Sequence, residues 1–299
     1  MAKKPALKSF SGRILGPALV VILSVIWGLA FVAIRRAVLE LSPINLTLLR
    51  WFIVSGSFLL LAPIIGKPKT PIRREHIPRI ILVAFASVGG YHLSLNYAET
   101  IVSSGLAGLL ISFGPIFVVL LSAIFLKERI GIKLTSALAL AILGAIVLSL
   151  NSDLSFVQIT GPLAVVLAAF MYSLFAVGAK PLVTNYGALP TAVWAGVIGT
   201  VFILPLLSGS FFTEVGGLSI VGWLSVLYLA ILSTVVANII LYTLISSRAV
   251  STLSVQLYLV PIVSLVGGIA LLSESITLLT IVGAGFLLAA TGLATSRKS

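Results

Sequence analysis

His92 and Asn96 stand four residues apart in "YHLSLNYAE", and Asn238 and Tyr242 stand four apart in "NIILYT". On a helix this spacing puts both members of a pair on one face. Ser112 lies within about a turn of Pro115, and Gln256 and Tyr258 lie within about a turn of Pro261. All of these polar groups interrupt long apolar runs. In lipid such groups either bond to a neighbouring helix or line a cavity that holds a solute. As a set they offer neutral donors and acceptors, suited to gripping a neutral or zwitterionic molecule. Trp27 and Tyr172 also fall deep within apolar runs, and Tyr91, Phe113 and Phe175 could join them. Aromatic rings at such positions either pack the core or wall a pocket.

Other chemistry is excluded by absence. The chain has no cysteine, so it has no disulfide, no thiolate nucleophile and no Cys-ligated metal. Of its two histidines only His92 falls in an apolar run, which rules out a multi-His metal site there. No G-x-x-x-x-G-K-[ST] occurs, so ATP is not expected to be hydrolysed by this chain. No catalytic residue, cofactor or metal is expected. The net charge is +12, yet no basic soluble segment is long enough to form a nucleic-acid module.

The elements that position these residues follow from hydropathy. The 299 residues are 60% hydrophobic and 9% charged, against about 25% charged in a soluble globule. Between Lys180 and Arg248 the only charge is Glu214. The fold class expected is an all-α membrane protein. Cutting at charges, prolines and Gly/Ser/Asn clusters predicts ten spans, near 14–36, 43–65, 77–98, 103–126, 132–150, 159–181, 190–208, 220–245, 251–272 and 277–295. Residues 1–13 form a basic tail, and the run after it is read as a retained first span, too long for a signal peptide. With the N-terminus inside, the cytoplasmic segments hold 16 of the 19 Lys and Arg. The positive-inside rule then places both termini in the cytoplasm. Trp51, Trp194 and Trp223 fall near span ends, where interfacial aromatic belts are expected.

The chain repeats itself. "LLISFGPIFVVLLSAIFLKER" from Leu109 returns 146 residues later as "VQLYLVPIVSLVGGIALLSES", aligning Pro115 with Pro261 and Glu128 with Glu274. His92 to Pro115 and Asn238 to Pro261 are both 24 residues long. This predicts two five-helix units, 14–150 and 159–295. An odd number of spans inverts the second unit relative to the first, an arrangement common in secondary transporters and shared by some channels. Only Pro115 and Pro261, of 13 prolines, fall at mid-span. Each is expected to release the carbonyl four residues back, at Ile111 and Leu257. Two readings stand: static kinks that shape the bundle, or paired hinges.

The five-helix repeat, the early Trp27-Gly28, the mid-span prolines and the acids after spans four and nine resemble the drug/metabolite transporter superfamily. More narrowly the chain resembles its EamA-type members and, within those, aromatic amino-acid exporters of the YddG type. Lys127 and Ser273 depart from the small residue common before the acid. The resemblance implies a ten-helix basket with spans five and ten on the periphery. Spans one, three, four, six, eight and nine would surround the cavity. It also implies export across the bacterial inner membrane, with amino acids as cargo.

The residues sharpen that expectation. Arg50 is the only Lys or Arg well inside a span, on span two, where it could pair with Glu40 or Glu99. The cavity spans carry no deep cation, which disfavours phosphate cargo. They carry no deep acid either, so His92 is the sole deep titratable group and weak or no ion coupling is expected. The expectation is a carrier, acting as a monomer, of small neutral or zwitterionic metabolites. The rivals are a solute channel and a carrier of another small metabolite.

Overall fold

The computed structural model describes residues 7–65, 71–126, 132–149, 156–240 and 256–295. Among them all regular structure is helical. Apolar runs in lipid must satisfy backbone hydrogen bonds internally, and a helix does so within one segment. In order, α1 is Leu7–Ala37 and α2 is Pro43–Ile65. The next span is composite: a 3₁₀ turn at Arg74–His76, α3 (Ile77–Ala84), a π-helical stretch Phe85–His92, and α4 (Leu93–Ile101). Then α5 (Ser104–Leu110) passes through a 3₁₀ turn, Ile111–Phe113, into α6 (Gly114–Leu126). There follow α7 (Ile132–Ser149), α8 (Phe156–Tyr186), α9 (Ala188–Ile203) and the short α10 (Gly209–Gly216). Helix α11 (Ile220–Leu227) runs on as a second π-helical stretch, Tyr228–Val236. The last two helices are α12 (Gln256–Leu272) and α13 (Leu278–Thr295).

Among the described residues six helices are long and apolar enough to cross a membrane: Ala18–Ala37, Pro43–Leu61, Arg74–Ile101, Ile159–Tyr186, Leu189–Leu206 and Ile220–Ile240. Four shorter apolar helices fall where spans four, five, nine and ten are expected: Ser104–Val118, Thr135–Leu148, Leu259–Leu272 and Leu278–Leu293. Helix α1 packs along α12, α6 along α8, and α2 along α9. Helices α7 and α13 pack chiefly on each other. Their backbones touch where a Cβ on Gly144 would lie 3.1 Å from the Gly283 carbonyl, the close approach that small residues permit in membranes.

The two mid-span prolines differ in local structure. Pro115 does not kink a continuous helix. The helix stops at Leu110 and restarts at Gly114, so Pro115 falls in a first turn, where its missing N–H costs nothing. The Ile111 carbonyl, expected to be released, accepts the Gly114 N–H through the 3₁₀ turn. Pro261 does lie inside a continuous helix, α12, and is buried. The π-helical stretches were not anticipated. They begin 143 residues apart, close to the repeat offset.

Three carboxylates fasten one end of the bundle. Glu274 accepts hydrogen bonds from Ser104 N (2.7 Å), Ser104 Oγ (3.1 Å) and Gly105 N (3.1 Å) at the start of α5. Glu40 accepts from Ser219 N and Ser219 Oγ, both at 2.8 Å, just before α11, and pairs with Arg36 at 2.8 Å. Glu214 accepts from Ser42 N (2.7 Å) at the entry to α2. Helix N-termini present free N–H groups and positive dipole ends, so they attract carboxylates. In every case the acid and the helix it caps come from different halves of the sequence.

The Ser219 amide and hydroxyl, followed by Arg36, hold the Glu40 carboxyl below its ordinary 4.5. A carboxyl depressed in the fold contributes stability above its unfolded value, and that contribution is lost as pH falls through the folded value. Thermal unfolding in detergent should therefore show the wild type losing more stability than Glu40→Gln as pH falls from about 6 to below about 4. The difference should be small, because the group is partly exposed and screened by solvent. Parallel losses in both proteins would mean that this carboxylate does not fasten the two halves together.

Candidate substrate-binding cavity

Both π-helical stretches and the 3₁₀ turn before Pro115 open onto one cavity of about 210 Å³. The first π-helical stretch contributes Ser87, Tyr91 and His92, and the second contributes Ser233 and Thr234, with Asn238 a half-turn beyond. The 3₁₀ turn contributes Ile111 and Ser112, and α12 contributes Val260 and Pro261. Departures from α-helical pairing leave backbone groups free and recur at functional sites. In a membrane they are tolerated where they face protein or a cavity. Trp27, Ala30, Phe31 and Ile34 of α1 complete the wall, with Arg50, Trp51 and Phe58 of α2, Tyr172 and Phe175 of α8, and Gly196 of α9. The volume lies below the roughly 300–1,000 Å³ of pockets for drug-sized ligands, so the cavity suits a small metabolite.

Arg50 carries the cavity's charge. It is 5% exposed, and its Nε and Nη2 donate to the Thr234 hydroxyl at 3.3 and 2.8 Å. Among the described residues no carboxylate lies within ion-pairing distance of it. Glu40 is taken by Arg36 and Ser219 instead. Among the described residues no acid lines the cavity. The rest of the described lining is uncharged, mostly aromatic and aliphatic with a few Ser, Thr, Asn and His groups, so Arg50 is the one fixed cation among the described lining residues. Across the cavity, His92 has Nδ1 2.7 Å from the Ser87 carbonyl. A carbonyl only accepts, so Nδ1 carries the hydrogen and Nε2 is the acceptor. The imidazole is held edge-on between Trp51 and Tyr91, with centroids at 5.0 and 4.7 Å. Asn238 Nδ2 donates to the Thr234 carbonyl at 2.7 Å, leaving its Oδ1 to accept. Trp27 Nε1 donates to the Ser233 carbonyl at 3.1 Å, which ties α1 to the second π-helical stretch. Tyr172 sits beside Tyr91 (5.7 Å) and Phe175 (6.0 Å), forming an aromatic wall.

Of the residues singled out in the sequence, Trp27, Tyr91, His92, Ser112, Tyr172, Phe175, Asn238 and Pro261 line this cavity. Asn96 does not. It is fully buried between helices and donates to Thr47 Oγ1 at 2.9 Å, the structural reading of such a residue. Phe113 is buried near Phe117 and stands outside the lining. Tyr242 lies outside the described residues, as do the side chains of Pro115, Gln256 and Tyr258. Three expectations need correction. The cavity is not free of cations, because Arg50 faces it. Spans two and seven line it as well, through α2 and α9. Trp51 is no interfacial belt residue: it is 5% exposed and packs on His92. A lone charge within an apolar run is costly enough to imply a function, and that signal could have drawn Arg50 into the site.

The chain thus combines long apolar helices with a polar-and-aromatic cavity at its helix breaks. The EamA-like transporter family model matches residues 14–150 and again 159–296. The chain belongs to that family, within the drug/metabolite transporter superfamily, and is a transporter rather than an enzyme. An "Uncharacterized transporter" of Archaeoglobus fulgidus is 35% identical over 88% of this chain and 92% of its own. A "Probable terminal-alkyne amino-acid exporter" of Streptantibioticus cattleyicolor is 31% identical over 87% of this chain and 86% of its own. A "Probable amino-acid metabolite efflux pump" of Escherichia coli is 27% identical over 89% and 90%. A crystal structure superposes with a TM-score of 0.62 at 16% identity, covering 94% of this chain and 96% of that one, a likeness of fold alone.

Proposed function

We propose that this chain carries amino acids, aromatic ones included, across the bacterial inner membrane by alternating access. The single observation that supports this most is Arg50, an unpaired guanidinium in a small aromatic cavity that lacks any acid. An α-carboxylate meets a guanidinium in charge-assisted, fork-like hydrogen bonds. The α-ammonium would find acceptors in His92 Nε2 and Asn238 Oδ1, and the side chain would lie on Trp27, Tyr91 and Tyr172. A phosphate, with two negative charges, would find only one cation. The amino-acid exporters among the relatives support the same cargo and an outward direction.

The transport unit in this reading is one chain of ten spans in two inverted repeats, with both termini cytoplasmic. The double family match and the paired π-helical stretches support the repeat. The fastened end, with Glu40, Glu214 and Glu274, would face outward, away from the basic cytoplasmic loops. The joint before Pro115 and the bend at Pro261 would be the hinges of the two halves. Counterflow tests the function: proteoliposomes loaded with unlabelled phenylalanine should transiently accumulate external labelled phenylalanine with saturable kinetics. Linear flux without exchange would identify a channel, and no flux of any amino acid in a panel would remove the cargo reading.

A further inference from the structure

Glu99 is a deep acid that plays no part in the cavity chemistry above. The sequence pattern predicts an end to span three near residue 98 and no acid in the interior. Helix α4 instead runs to Ile101 and buries Glu99 completely, at 0% exposure. Both of its carboxyl oxygens lack a hydrogen-bond partner. Arg35 is close by, but its Nη1 is bonded to the Glu99 backbone carbonyl. The charges acting on the carboxyl are Arg35 on α1, Arg50 on α2, and Glu274, which caps α5 nearby. Tyr91 and His92 stand about two turns earlier on the same span, and α8, packed alongside, brings Tyr172. Glu99 thus lies between the cavity and the fastened end of the bundle.

We propose that Glu99 is a proton-binding site, and that closing the fastened end takes up one proton there. An ionised carboxyl with no partner is among the costliest groups to seal in an apolar interior. The closed arrangement accommodates it with a proton on one oxygen. When the end opens, water reaches the carboxyl, the O–H bond breaks and the proton leaves as hydronium. Closure reverses the step, drawing the proton from water on that side. Low pH therefore favours the closed end. The three fastening carboxylates predict the opposite sign, because protonating Glu40, Glu214 or Glu274 removes the charge that caps a helix of the other half. The direction of the pH response separates the two.

The absence of native cysteine makes the test direct. Ala30, a small residue of the cavity wall, is replaced as Ala30→Cys. A membrane-impermeant thiol reagent is then applied from the fastened side of reconstituted vesicles, from about pH 5 to about pH 9, with rates corrected for the thiolate fraction of a free thiol. One proton per closure predicts a labelling rate that rises up to about tenfold per pH unit over part of that range. In the Glu99→Gln background labelling should be slow and flat with pH, and Glu99→Asp should restore the slope. A slope unchanged by Glu99→Gln, or labelling that falls as pH rises, overturns the proposal. The inference rests on the alternating-access reading, which phenylalanine counterflow by the cysteine-free wild-type protein reports separately. Counterflow with a flat labelling profile in the parent rejects the proton site alone, and absent counterflow rejects the underlying reading.

Discussion

Replacing Arg50 with glutamine is expected to weaken phenylalanine binding about 10- to 100-fold, from the loss of charge-assisted hydrogen bonds each contributing about 1.5–3 kcal/mol. Arg50→Lys should recover only part of this, because an ammonium lacks the planar fork that matches a carboxylate. The same substitutions bear on the structural explanation of a buried arginine. A guanidinium in an ion pair that holds helices together would, on removal, leave a buried carboxylate stranded and destabilise the protein. Among the described residues Arg50's hydrogen-bond partner is the Thr234 hydroxyl, and no carboxylate is within ion-pairing distance. Its removal should therefore leave the melting temperature in detergent unchanged or higher while binding is lost. Equilibrium binding and thermal unfolding of the same preparations check this. A large drop in stability with normal residual affinity would make Arg50 a structural residue.

Trp27→Ala should discriminate among substrates. The indole ring forms one face of the cavity, and burying a large side chain against such a face contributes about 1.5–3 kcal/mol. Affinity for phenylalanine should fall roughly tenfold or more, with a smaller loss for alanine, whose side chain does not reach the wall. Trp27 also tethers α1 to the Ser233 carbonyl, so Trp27→Phe separates the two roles. Phenylalanine at this position keeps the aromatic face and drops the hydrogen bond. If it behaves as wild type for both substrates, the wall matters. Equal losses for large and small amino acids in both variants would assign Trp27 to packing.

The fold was legible because its cause is long-range and simple. Apolar runs of the right length, a charge bias between loops and a 146-residue echo are properties of whole segments. The site was legible where a residue type is costly in lipid wherever it points, as with His92 and Asn238. It failed where direction decides. Asn96 does share a helix face with His92, and both meet α2, but His92 packs on Trp51 at the cavity while Asn96, one turn further along, bonds to Thr47 beyond it. Arg50 and Trp51 fall on span two, which is not among the spans expected to surround the cavity, and a neighbour's orientation cannot be read from hydropathy. The distance of Pro115 from the span ends predicts a kink or a hinge within one helix. The 3₁₀ turn before it, which starts a new helix, follows from local packing that the proline alone does not announce.

The central claim is that the cavity recognises an amino acid by its carboxylate. Competition against labelled phenylalanine in counterflow tests it most directly. Three unlabelled competitors share the aromatic ring: phenylalanine, its methyl ester and phenethylamine. The account predicts that phenylalanine competes fully and that the two compounds without a carboxylate compete at least about tenfold more weakly, with that difference abolished in Arg50→Gln. Equal competition by all three in the wild type would contradict it, showing that the ring alone is recognised and that Arg50 serves another purpose.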